Sequence, residues 1–288
     1  MNTDPVDPGP ETRGRPAGPS AYPLGYSAAE FARLKQQGAF LRDLTADAMR
    51  RAGIAASMRV LDIGCGVGDV SLLAGEFVGP EGTVLGIDRS AEAVDLATRR
   101  AALAGQTWVR FAAADIDGFT TQERFDALVG RLVLLYLPDP AATLRRLCGL
   151  VRPGGIVIFQ EMVMPLARSV PDGPQFRQCL QWIVDTFRRA GFEADMGSKL
   201  LPTFLTAGLP APQMIVAGRV EGGPTSAVYD YMASTLRSLL PAMERLGVAS
   251  AAEVGIETVA ERLRREAVEL DACVMPPPLI AAWTQTAA

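Results

Sequence analysis

Apolar and polar positions along this chain of 288 residues change period repeatedly, and five short apolar runs carry most of the signal. Arg59 to Ile63 alternate and end in apolar and β-branched types, as a short buried strand does, and Val70 to Ala74 resume at helical spacing. The stretch between them is a strand-to-helix turn. Further runs follow at Thr83 to Ile87, at Trp108 to Ala114, at Phe125 to Leu137, and at Gly154 to Phe159 after the turn Arg152-Pro153-Gly154-Gly155. Five strands, each separated by a helical stretch, predict one parallel sheet.

The flanks read differently. Residues 1–20 are rich in Pro and Gly and poor in large apolar types, which predicts a disordered leader. Ser27 is the N-cap candidate for a helix over Ala28 to Met49, with Phe31, Leu34, Phe40, Leu41 and Leu44 on one face and Gly38 as a break. Downstream, Phe176, Leu180, Ile183, Val184 and Phe187 recur at helical spacing within Pro174 to Ala190, with Trp182 beside the stripe. A helix over Gly197 to Ala207, a strand over Gln213 to Val220 and a helical pair, about Ser226 to Leu246 and Ala251 to Leu270, come next. The chain closes with a strand over Val274 to Thr284, whose Pro276-Pro277-Pro278 suits an edge better than the middle of a sheet. The pattern thus predicts a leader at 1–20, a helical cap at 21–56, a sheet core at 57–165, a lid helix and sixth strand at 166–222, and a helical lid insertion with a final edge strand at 223–288.

Composition narrows the picture. With 49% hydrophobic residues the chain can bury a full core. No apolar run reaches the roughly eighteen residues of a membrane span, and no basic start or apolar signal segment opens the chain, so a cytoplasmic protein is expected. A net charge of -4 and the lack of a long basic block argue against a nucleic-acid partner. Cys65, Cys148, Cys179 and Cys273 form no C-x-x-C pair and histidine is absent, so no metal site is expected and the cysteines read as free thiols. Nothing in the sequence supplies a base beside Cys65, which favours a packing role over a nucleophilic one.

The chemistry is concentrated in the first turn. Gly64, Gly66 and Gly68 fill it, the residue type needed where the backbone turns tightly and a ligand approaches without a Cβ in the way. A dinucleotide site wants G-x-G-x-x-G. Here the spacing is G-x-G-x-G, and the third dinucleotide position holds Asp69, a poor neighbour for a pyrophosphate at a helix N-terminus. S-adenosylmethionine carries no phosphate but a sulfonium and an ammonium, which suit Asp62 and the loop carbonyls. Asp88 ends the second run as an acid able to hold ribose hydroxyls, and Asp115 ends the third.

In order and spacing, LDIGCGVG, GIDRS, AAADID and FDALVGRLVLLYLPDP, followed by RPGG, resemble the class I S-adenosylmethionine-dependent methyltransferases over roughly Arg59 to Glu161. The resemblance implies an α/β, Rossmann-like, seven-stranded, mostly parallel sheet with helices on both faces, plus an N-terminal helical cap and a helical lid insertion. It implies that Gly64 and Gly66 lie along the methionine part, that Asp88 holds the ribose, and that Asp115 and Ile116 flank the adenine. It adds Tyr26, Asp62, Cys65, Arg89, Gly130 and Arg131 to the expected S-adenosylmethionine-binding set. The Y-x-L-G-x-S-x-x-E-x-x-R-L stretch from Tyr22 resembles the N-terminal cap of bacterial small-molecule methyltransferases, in which such a tyrosine lies over the cofactor. On the other reading, Tyr22 and Tyr26 only pack the cap on the core.

Methyl transfer is an in-line displacement, so holding the acceptor in line and excluding water is the main task. The base-modifying branches of the family carry an Asn/Asp-Pro-Pro-Tyr/Phe signature where this chain reads GRLVLLYLPDP, and the metal-assisted catechol branch carries an acid where it has Arg131. The expected acceptor is therefore a small, mainly apolar, aromatic metabolite, with indole-type natural products among the candidates and with C-, N- and O-methylation all open. A homo-oligomer is compatible with the sequence. The alternatives are a non-catalytic cofactor sensor or scaffold on the same fold and, more distantly, a dehydrogenase. Glu161, taken to emerge beyond the fifth strand beside Met162 and Met164, is the candidate for handling the acceptor as a base, with Tyr22 as a second catalytic candidate. A carboxylate there would otherwise pair with Arg131 or lie in solvent.

Overall fold

A computed structural model describes residues 24, 25 and 27–287; the expected leader, Tyr22 and Tyr26 lie outside the described residues. Helix α1 (Ala28–Ala52) is capped by the Ser27 hydroxyl, which accepts from the Glu30 amide, and ends at Gly53 in the left-handed region. Gly38 does not break it. A Cβ at Gly38 would sit 2.3 Å from Asp69 Cγ, so this glycine lets α1 close against the helix that follows the first strand.

The core then runs β1 (Arg59–Ile63), α2 (Asp69–Val78), β2 (Thr83–Asp88), α3 (Ala91–Leu103), β3 (Val109–Ala113), β4 (Phe125–Arg131), α4 (Pro140–Cys148) and β5 (Val151–Met162). Beyond it come β6 (Arg168–Val170), α5 (Pro174–Arg189), α6 (Leu200–Thr206), β7 (Gln213–Ala217), β8 (Glu221–Gly222), α7 (Val228–Arg245), α8 (Ala251–Val254), α9 (Val259–Glu269), β9 (Cys273–Met275) and β10 (Leu279–Gln285). The main sheet has the order β3-β2-β1-β4-β5-β10-β7, with β1 to β5 mutually parallel where they pair and β10 antiparallel to both neighbours.

Several expected boundaries are corrected. No helix separates β3 from β4. The apolar run from Phe125 is a strand only to Arg131; the rest is a turn with one 3-10 segment, Leu134–Tyr136. Strand β5 is twice as long as the apolar run suggested, because Arg152 to Gly155 bulge out between the Phe125↔Val151 and Ala127↔Ile156 pairs and pairing then continues to Met162. The helix expected over Gly197 to Ala207 is a 3-10 segment, Met196–Lys199, leading into α6, and Gly255 in the left-handed region divides the helix expected over Ala251 to Leu270. The closing strand is not an edge: β10 lies between β5 and β7, and β7 is the edge. The three prolines precede β10, outside its ladder, and join it to a small sheet of order β6-β9-β8 that the pattern did not reveal.

Strand alternation sorts the core into two faces. On one, Val60, Val84, Val129, Ile156 and Ile158 pack under Met49 of α1 and Leu73 of α2. On the other, Ile63, Ile87, Phe159, Leu144 and Phe204 form a core continuous with Phe176, Ile183 and Met232 of the lid helices α5 and α7.

Candidate active site

The strand order reverses between β1 and β4, and at their carboxyl ends a cavity of about 370 Å³ opens. Such a reversal leaves a crevice where neighbouring connections depart to opposite faces, and the volume falls within the range of small-molecule sites. One side is lined by Gly64, Cys65, Gly66, Asp88, Arg89, Asp115 and Ile116, so these seven expected positions converge on a single space.

The turn after β1 needs its glycines. Gly64, Gly66 and Gly68 all have positive φ (64°, 52° and 89°), and a Cβ on Gly64 would come 2.7 Å from Val133 Cγ2. Two bonds hold the loop to β2: the Cys65 amide donates to the Ile87 carbonyl at 2.9 Å, and the Gly66 amide to Asp88 Oδ2 at 2.9 Å. The other Asp88 oxygen accepts from the Ser90 amide at 2.9 Å. Each carboxylate oxygen still has a lone pair for a ligand hydroxyl. Burial raises the Asp88 pKa, against the pull of those backbone bonds. Burial also pushes the Cys65 thiol well up, with Asp62 and Asp88 adding to it, so the sulfur is not an activated nucleophile. Asp69 opens α2 and pairs with Arg100 at 2.7 Å.

Two expected cofactor-binding residues, Asp62 and Gly130, do not line the cavity. Asp62 does not line the cavity; it points to the face under α1 and α2, where Ser71 donates to it at 2.5 Å. Burial lifts its pKa to about 7, opposed by the Ser71 bond and by Arg131. Gly130 is one residue out of phase with Asp62 and faces the other way, under the Phe159 ring, where a Cβ would lie 2.4 Å from Phe159 Cε1. Arg131 does line the cavity, donating to Thr45 of α1 at 3.0 Å.

Glu161 is the largest correction. It lies inside β5, fully buried, and does not line the cavity, although Met162 and Met164 do. Arg131 is aligned with Gln160, one residue earlier, so Glu161 faces away from Arg131 and neither an ion pair with it nor a solvent position is available. Its Oε1 instead accepts from the amides of Val133 (3.0 Å) and Leu134 (2.7 Å), and its buried Oε2 has no hydrogen-bond partner among the described residues. Burial outweighs those bonds and raises its pKa to about 8.

The far side of the cavity is apolar. The turn after β4 contributes Leu132, Val133 and Leu135 to Pro138, α5 contributes Phe176, Ile183 and Phe187, and α7 contributes Met232 and Thr235. Tyr136 packs edge-on against Phe192, with ring centroids 5.3 Å apart. Sequence reasoning missed three contributors: this turn, taken for strand; Pro276 and Pro277, which line the cavity; and Arg33, whose guanidinium forms a buried pair with Glu30 at 2.7 Å. A charged pair three residues apart on a face otherwise apolar was the available signal for Arg33.

A family profile described as "Methyltransferase domain" matches residues 54–202, more than half of the chain. The chain belongs to this methyltransferase family. It is a class I, S-adenosylmethionine-dependent member, and the residues on the polar side of the cavity fit that cofactor: an acid with free lone pairs at Asp88, a side-chain-free loop at Gly64 and Gly66, and an apolar face at Ile116. The chain is 34% identical over 116 residues to the trans-aconitate 2-methyltransferase of Methylobacterium radiotolerans, covering 40% of this chain and 42% of the relative. It is 38% identical over 112 residues to a ubiquinone biosynthesis O-methyltransferase of Aromatoleum aromaticum, covering 38% and 46%. The matches thus span less than half the length of these curated relatives. Among solved structures, the YcgJ protein of Bacillus subtilis shares the fold at a TM-score of 0.55 and 19% identity, covering 85% of this chain and 99% of that one. Among the described residues no helix is long and apolar enough to cross a membrane.

Proposed function

We propose that this protein transfers a methyl group from S-adenosylmethionine to a small, mainly apolar, aromatic metabolite. The observation that carries the reading is the continuity of one cavity from the glycine loop to an apolar wall built by the lid helices α5 and α7. Asp88 would hold the ribose hydroxyls, Asp115 and Ile116 the adenine, and Gly64 and Gly66 the methionine part. Bound there, the cofactor supplies a methyl carbon already activated by its sulfonium.

What the chain contributes is position and the exclusion of water. The wall built by the turn after β4, α5 and α7 is aliphatic, aromatic or thioether in type with Thr235, Tyr136 and Tyr231, while α1 and the end of β4 add Arg33, Gln37 and Arg131 to the lining. The extent of the apolar wall supports a planar apolar ring, closer in character to the acceptor of the quinone-pathway relative, and a polar substituent on that ring could face Gln37 or Arg131. Indole-type natural products belong to the same chemical range. A small-molecule acceptor, with neither nucleic acid nor membrane as partner, and action in the cytoplasm are parts of this proposal.

The test is incubation of the protein with S-adenosylmethionine and a panel of phenols, indoles and hydroxyquinones, followed by product mass spectrometry. A methylated product identifies the acceptor and the methylated atom. Tight S-adenosylhomocysteine binding with no product across the panel would instead favour a sensor or scaffold.

A further inference from the structure

The turn after β4 meets three parts of the protein at once. Val133 lies against Gly64 of the cofactor loop, the Leu135 carbonyl accepts from the Glu193 amide at 3.0 Å just beyond α5, and Tyr136 touches the rings of Phe187 and Phe192. It leaves β4 through Leu132, a non-glycine residue at φ 56°, a conformation that costs energy and persists only when its surroundings enforce it. Two consecutive residues of β5 do the enforcing. The Gln160 carbonyl accepts from the Leu132 amide at 2.9 Å, and Glu161 Oε1 accepts from the next two amides, Val133 and Leu134.

We propose that Glu161 is a positioning residue, which hangs the cavity wall of Leu132 to Leu137 on β5 and so sets where the acceptor sits relative to the methyl group. It acts through the wall: its own carboxyl never reaches the cavity. Among the described residues Oε2 has no hydrogen-bond partner, the Leu135 amide also favours the ionised carboxyl, and Gly197 packs on the Glu161 carbonyl, so the polar contacts of this side chain all come from the turn. Burial that raises its pKa to about 8 keeps it largely protonated at neutral pH, and a neutral acid still accepts both amide bonds through one oxygen. Glutamine presents the same oxygen. Methionine matches the length but offers only a weak thioether acceptor in place of the oxygen.

This inference rests on the methyl-transfer reading but can be tested separately from it, because amide exchange at Val133 and Leu134 needs no turnover. In the full chain with S-adenosylhomocysteine bound, peptides covering residues 131–137 are expected to be protected in wild type and in Glu161→Gln, and to exchange at least about tenfold faster in Glu161→Met. With whichever phenol, indole or hydroxyquinone the panel yields, Glu161→Gln is expected to stay within about fivefold of wild type. Glu161→Met is expected to lose roughly 10²-fold in kcat/KM for the acceptor, while S-adenosylhomocysteine affinity by calorimetry moves less than about threefold. A loss of 10²–10⁴ in kcat for Glu161→Gln with protection intact would mark Glu161 as a base and overturn the proposal. Unchanged protection in Glu161→Met would overturn it as well, and if that variant does not fold, the glutamine result alone decides. Should no panel member be methylated, the functional reading fails while the exchange result still judges Glu161.

Discussion

Both oxygens of Asp88 tether backbone at the cavity rim, which Asp88 itself lines, and the proposed function gives it the ribose as well. Hydrogen bonds to a charged group contribute roughly 1.5–3 kcal/mol each. Asp88→Ala is therefore expected to weaken S-adenosylmethionine by at least about tenfold in calorimetry, through lost ribose contacts and a loosened Gly66; an unchanged affinity would remove Asp88 from the site. The buried acids set a second expectation. Asp62 and Glu161 have pKa values raised from 3.8 to about 7 and from 4.5 to about 8, so the folded protein retains protons that the unfolded chain has released. Stability should then fall as pH rises through about 4 to 8 and level off above, each acid contributing up to about a tenfold loss in the folding constant per pH unit within its own window. Glu161→Gln, neutral throughout, is expected to show a shallower fall in thermal midpoint between pH 5 and 8. The identities of these acids were legible in the sequence, but their directions were not. Asp62 reads as a site acid because of its neighbours in the chain, yet it sits on the α2 side of the sheet because β-strand side chains alternate and only the paired register says which way each one faces.

At the scale of elements, the glycines of the first turn and of α1 serve different purposes. Gly64→Ala combines a positive φ with a 2.7 Å approach to Val133, and is expected to lower cofactor affinity by about tenfold or more. Gly38→Ala would place its methyl against Asp69 and push α1 off α2; a drop in melting temperature of several degrees is expected, in a helix where alanine would otherwise stabilise. A gain in stability would show that α1 can shift freely. Helix α1 also carries the lid. The Phe40 and Tyr231 rings stack at 4.9 Å, Gln37 donates to the Tyr231 hydroxyl at 3.0 Å, and Ser234 donates to Gln36 at 2.8 Å. A double-mutant cycle of Phe40→Leu and Tyr231→Leu is expected to give a coupling of about 0.5–1.5 kcal/mol, and zero coupling would detach the lid from the cap. Local periodicity located almost all of these helices. It could not tell a break from a close approach at Gly38, because both call for glycine.

For the molecule as a whole, the cavity is closed by segments far apart in the chain: α1, the turn after β4, α5, α7 and the prolines before β10. If residues 21–26 complete that enclosure, deleting residues 1–20 should leave turnover nearly unchanged, whereas deleting residues 1–26 should abolish it by admitting water to the reacting centre. Equal behaviour of the two truncations would reduce Tyr22 and Tyr26 to packing residues. By itself the sequence determined the parallel core, the cofactor loop and the acids at the ends of β2 and β3, because each depends on contacts within a few residues or on a motif whose spacing is local. The tertiary structure alone decided that β10 lies inside the sheet, that Gly130 and Asp62 turn away from the ligand space, and that Glu161 holds a loop of the cavity wall. Those outcomes depend on which strands pair and in what register, and pairing is settled by burial summed over the whole molecule, not by any one stretch of chain.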